Sequence, residues 1–167
     1  MPTVAFTTSD GVTIAGSLFI GPAGGPAALL LHMMPKTKES WAPLAEALVG
    51  AGFGSVLAID LRGHGESLRQ GDRRLDYKNF SDAEHQAKML DVEAAVEWLM
   101  KERGARLDRA VIVGASIGAN LAIRFAADHP EVPAVAALSP GLDYRGVTTA
   151  DAVARLRPKQ AFFLAAS

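Results

Sequence analysis

The run Gly114-Ala115-Ser116-Ile117-Gly118 holds a serine between two glycines, each two residues away. Residues 110–113 before it form a short apolar run, and Leu121, Ala122, Phe125 and Ala126 after it fall on one helical face. This order predicts a sharp turn from strand to helix, where Gly114 and Gly118 avoid collision because they carry no Cβ. Such a turn lifts the Ser116 hydroxyl above the carboxyl edge of a sheet. The new helix aims its unpaired amides and positive dipole end at an anion beside that hydroxyl. The chemistry implied is nucleophilic attack on an acyl carbon, with the Ile117 N–H as one donor to the resulting oxyanion. With 16 glycines in the chain the bare pattern arises by chance about one time in ten, so the flanking strand and helix carry the inference.

Elements able to position this turn recur along the chain. Val12, Ile14, Leu18 and Ile20 alternate with period two, and Ser9-Asp10-Gly11 separates them from an alternating segment at 3–7, which predicts an opening β-hairpin. Apolar runs at 27–31, 56–59, 110–113, 135–138 and 161–166 have the length of strands buried on both faces. Between them, Trp41, Leu44, Ala45, Leu48 and Val49 form a helical face after a Ser40 cap, ended by Gly50 or Gly52. Ser81-Asp82-Ala83-Glu84 reads as a capping box that opens one long helix burying Ala83, Ala87, Leu90, Ala94 and Trp98. Strand and helix alternate from residue 26 onward, so the fold class expected is α/β, a three-layer α/β/α sandwich on a mostly parallel sheet, within one domain spanning 1–167. Residues 61–80 have neither period. Their five basic side chains (Arg62, Arg69, Arg73, Arg74, Lys78) against Glu66, Asp72 and Asp76 read as a solvated loop or as a partial lid favouring acidic substrates.

Composition narrows the partners. Lys and Arg number 17 against 18 Asp and Glu, a net charge of −1 that gives no electrostatic attraction to nucleic acid or an anionic membrane. The absence of cysteine excludes disulfides, zinc-thiolate sites and a cysteine nucleophile. No cofactor and no metal are called for. The first ten residues lack the basic start and apolar core of a signal peptide, and no apolar run reaches membrane-spanning length, so the expected location is cytoplasmic.

Three segments in order, the elbow at 114–118, the His32-Met33-Met34-Pro35 loop and Asp60-Leu61-Arg62-Gly63-His64-Gly65-Glu66-Ser67, resemble the α/β-hydrolase superfamily, nearest to its dienelactone-hydrolase-like and prolyl-oligopeptidase-like esterases and peptidases. The third is similar to the D-x-R-G-x-G-x-S turn of many members. The resemblance implies Ser116 as catalytic nucleophile and Gly114 and Gly118 as the elbow. It implies Ile117 and Met34 as oxyanion donors, with Met33 the alternative second donor, and His32 and Met33 beside the acyl pocket. Many relatives have glycine after that histidine, and here Met33 stands in its place. A serine rather than an aspartate nucleophile excludes the chemistry of epoxide hydrolases and haloalkane dehalogenases.

The resemblance also places the acid after the seventh strand and the histidine after the eighth, so the chain reads as lacking its last strand and helices. Asp143, after the sixth strand, is the one candidate acid, with a plain turn as its competing role. His32, His64, His85 and His129 read as structural or solvated. The implied activity is hydrolysis of carboxylic esters or amides through an acyl-enzyme, with acyl transfer to an alcohol using the same elbow. The competing reading is a catalytically incomplete fragment that associates with another chain, or with itself, through an exposed apolar edge strand at 160–166.

Overall fold

Five apolar runs paired in parallel build the centre of the molecule, and the computed structural model describes residues 2–166. In chain order the elements are β1 (Thr3–Thr7), β2 (Val12–Ile20), β3 (Ala27–Leu31), α1 (Ala42–Gly50), β4 (Ser55–Ile59), β5 (Arg69–Gln70) and β6 (Arg73–Arg74). They continue with α2 (Asp82–Gln86), α3 (Met89–Arg103), β7 (Ala110–Ala115), α4 (Ile117–Asp128), β8 (Ala134–Leu138), β9 (Asp143–Tyr144), β10 (Val147–Thr148), α5 (Ala150–Arg155) and β11 (Ala161–Ala165). One sheet runs β11-β8-β7-β3-β4-β2-β5-β6, with β1 also paired to β2. The stretch from β11 to β4 is parallel, and β2 joins β4, β1 and β5 antiparallel.

Side-chain alternation splits the core into two layers. Leu29, Leu31, Leu57, Ile59 and Ile112 face α3 and α4, while Ala28, Leu30, Val56, Ala58 and Val113 face α1. The expected three-layer α/β/α sandwich is the observed one. Each fully buried leucine or isoleucine here stabilises the fold by about 1.5–3 kcal/mol relative to exposure.

The structure departs from the sequence reading at several elements. Ser40 does not cap α1, because it lies in a 3₁₀ turn (Lys38–Trp41) where its hydroxyl donates to Thr37 O, and the helix starts behind Trp41 with Pro43 in its first turn. The capping box at Ser81 and Glu84 forms, yet it opens only the short α2, and bonds between residues three apart at 85–91 tighten the chain before α3 begins. The buried face of α3 is then Asp91, Val92, Ala95, Val96 and Leu99 rather than the stripe through Leu90, Ala94 and Trp98. Ile20 is exposed, and β11 is exposed along most of its length, since among the described residues it pairs with β8 alone. Residues 61–80 are partly solvated, with 71–74 exposed, and carry more regular structure than a plain loop. The β5–β6 hairpin extends the sheet along β2, and Leu75 and Phe80 anchor the segment in the core. Among the described residues no helix is long and apolar enough to cross a membrane.

Candidate active site at the strand-to-helix turn

Residue 115 ends β7 and residue 117 starts α4, so Ser116 alone makes the bend. Its φ of 52° and ψ of −120° lie outside the regions a non-glycine residue prefers, and such backbone strain persists only where surrounding packing enforces it. The packing is visible. Ser116 N–H donates to Leu138 O at 2.9 Å, which ties the turn to the end of β8, and Ser116 O accepts from Ala119 and Asn120 as the first turn of α4. A Cβ on Gly114 would overlap Gly118 O and lie 2.6 Å from Ala119 N, and one on Gly118 would overlap Leu31 O and lie 2.8 Å from His32 O. Both glycines are therefore required by backbone contact between the helix start and the tips of β7 and β3.

Ser116 is half-buried, with Ile117 fully buried behind it. The loop after β3 carries His32, buried, then Met33, exposed, and Met34, half-buried. Among the described residues no acceptor engages the amides of Ile117 or Met34. His32 fixes this loop from below: Leu61 N–H donates to its Nε2 at 3.0 Å, so Nδ1 carries the proton and donates to Met33 O, also at 3.0 Å. Burial holds the His32 imidazole below its ordinary pKa, which keeps it neutral.

The remaining candidates are engaged elsewhere. Asp143 is exposed, and its Oδ1 accepts from Gly146 N–H at 2.7 Å, closing the β9–β10 hairpin over Arg145 and Gly146, both at positive φ. His64 is buried and stacks on Tyr77 at 3.9 Å between ring centroids, with Nδ1 on Arg62 O and no hydrogen-bond partner for Nε2 among the described residues. His85 lies against Lys88, and His129 stacks on Phe125 at 4.1 Å and faces Glu131. Asp60 accepts from the Lys38 and Glu66 amides and from Lys38 Nζ, all within 2.9 Å, so it locks the turn that follows β4. Among the described residues no group of three or more His, Asp or Glu side chains is placed to hold a metal ion.

Two residues below the site escaped the sequence reading, Lys88 and Asp91, both fully buried on the α2–α3 face. Asp91 accepts from Arg62 through its backbone N–H and its Nε, each at 2.8 Å, and the Arg62 fork reaches on to Asp10 at 2.7 and 3.0 Å. The signal was present as Val92, Ala95, Val96 and Leu99 at helical spacing, which carried backwards passes through 88 and 85.

Comparison with known proteins places these features in a wider group. Residues 26–164 match the family model described as alpha/beta hydrolase fold. The chain is 30% identical over 131 residues to a putative 2-succinyl-6-hydroxy-2,4-cyclohexadiene-1-carboxylate synthase of Bacillus subtilis, a match covering 78% of this chain and 42% of that protein. It is 32% identical over 109 residues to thiohydrolase aneE of Aspergillus aculeatus, covering 61% of this chain and 34% of that one. Among solved structures, the Pyrococcus furiosus esterase Pf2001 superposes with a TM-score of 0.68 at 27% identity, over 83% of this chain and 51% of the esterase. The chain thus spans about half or less of the length of these relatives.

Proposed function

The chain belongs to the α/β-hydrolase family, and from that premise we propose that it carries the nucleophile and oxyanion hole of a serine hydrolase acting on carboxylic esters, and on amides of similar shape. The observation that carries this reading is the strained, half-buried Ser116 with the unaccepted amides of Ile117 and Met34 on two different elements. On this reading Ser116 Oγ adds to the acyl carbon, and the carbonyl oxygen gains the negative charge that the two amides stabilise. Collapse expels the alcohol, and water releases the acid from the acyl-enzyme. The esterase and thiohydrolase named among the relatives support acyl chemistry of this kind. The Ser116 proton needs an acceptor, and the four histidines have the other partners described above. The acceptor on this reading belongs to additional polypeptide, in keeping with the share of the relatives that the chain spans.

Fluorophosphonate labelling tests the proposal: protein completed with additional C-terminal polypeptide should form one adduct, mapping to Ser116 and lost in Ser116→Ala. An adduct elsewhere, or one that persists in the variant, sinks it.

A second reading, association through β11, is favoured by one observation. Phe162, Phe163 and Leu164 are 39%, 61% and 56% exposed on a strand that, among the described residues, is paired on one edge only. Light scattering of residues 1–167 should then report dimers or larger species, and Phe163→Lys should shift them toward monomer. A compact monomer in the unmutated chain contradicts this reading.

A further inference from the structure

Lys88 has no exposed surface, and among the described residues no carboxylate lies within ion-pairing distance of its ammonium. Its Nζ lies 3.1 Å from His85 Nδ1, 3.7 Å from Met34 Sδ and 6.0 Å above the Phe80 ring. Around it stand the Asp91 carboxylate of α3, Arg62 and His64 of the turn after β4, His32 of the turn after β3, and Arg145 of the β9–β10 turn. Only Asp91 among these favours the charged amine, and Asp91 is already spent on Arg62. A buried, underpaired ammonium lowers stability by several kcal/mol, whereas a leucine or methionine fits the same core position at no such cost. A charge there calls for a use, and among the described residues its ammonium reaches the loop beside Ser116 at Met34.

We propose that Lys88 is a positioning residue for the oxyanion hole, its ammonium holding the Met34 thioether and setting a fixed positive charge behind the Met34 amide. The inference rests on the reading of Ser116 as nucleophile. A cation at that depth favours a tetrahedral anion at the hole over a neutral carbonyl, because the intervening side chains screen it less than water does. The effect expected is on the order of tenfold in the affinity of a tetrahedral anion.

Phenylboronic acid is a suitable probe, offered to protein completed with additional C-terminal polypeptide, called wild type below when it carries no substitution. Ser116 Oγ forms a bond to boron, the hydroxyl proton passes to solvent, and boron becomes a tetrahedral anion. Wild type at pH 7 should bind it about tenfold more tightly than Lys88→Met. Burial lowers the Lys88 pKa to about 8. The ratio between wild type and variant should therefore shrink toward one as pH rises past that value, which a merely structural loss does not do. Linkage requires the reciprocal effect, an upward displacement of about one pKa unit in the Lys88 titration on boronate binding. Lysine Nζ resonances in labelled wild type report that displacement without any variant. Binding that is absent in wild type, or persists in Ser116→Ala, overturns the nucleophile reading itself. Binding lost in Ser116→Ala but equal in wild type and Lys88→Met, or weakened by the same factor at every pH, overturns the role of Lys88, as does a Lys88 titration that boronate leaves in place.

Discussion

Asp91→Ala is expected to lower the unfolding free energy by about 3–5 kcal/mol, the range for breaking a buried ion pair by removing one partner. Arg62 is nearly inaccessible and divides its donors between two carboxylates, Asp91 inside the core and Asp10 in the β1–β2 turn. Without Asp91, the Arg62 Nε and the Arg62 backbone N–H both lose their acceptors inside the core. Lys88 loses the one neighbouring group that favours its charge. Asp91→Asn keeps the volume and an acceptor oxygen, so its cost should fall nearer about 1–3 kcal/mol. Urea unfolding followed by tryptophan fluorescence measures both variants. A loss below about 1 kcal/mol for Asp91→Ala would show that the pair contributes no more than a surface salt bridge.

The same cluster marks the boundary of what the sequence discloses. The strands were legible because residues 27–31 and 55–59 are buried on both faces and so read as unbroken apolar runs. The turn at Ser116 was legible because two backbone contacts demand glycine at 114 and 118, a steric requirement that leaves a trace at fixed spacing. Lys88 and Asp91 were not, since polarity ordinarily assigns such residues to solvent, and only the three-dimensional meeting of Arg62, Asp91 and Asp10 overrides that assignment. The hairpin within 61–80 was missed for a related reason: β5 and β6 are two residues long, too short to show a period, and the pairing of β5 to β2 is a long-range property. Ala-Phe-Phe-Leu-Ala alone has the composition of a covered strand, and the exposed edge expected at 160–166 came from its place in the strand order rather than from those residues.

Acidification from pH 7 to pH 5 is expected to destabilise the protein by about 2–3 kcal/mol, a net figure between opposing groups. Burial, reinforced by Lys88, holds His64 at about 3 and His85 at about 4, both well below the 6.5 of a free imidazole. At pH 5 the unfolded chain therefore binds two protons that the folded chain refuses, worth about 2 kcal/mol for each histidine. His32 is lowered in the same direction. Asp91 works the other way, since burial raises it to about 6 against the pull of Arg62, and at pH 5 the folded state takes a proton the unfolded state leaves, returning about 1.4 kcal/mol. The histidines prevail because their pKa values lie further from the unfolded reference across this window. His64→Phe keeps the ring stacked on Tyr77 and removes the titration, so it should flatten the pH dependence by about 2 kcal/mol between pH 7 and 5. Urea titrations of wild type and His64→Phe at the two pH values give the comparison directly. Equal slopes with pH for the two proteins would mean that His64 takes up its proton in the fold at the same pH as in the unfolded chain, which overturns the lowering by burial.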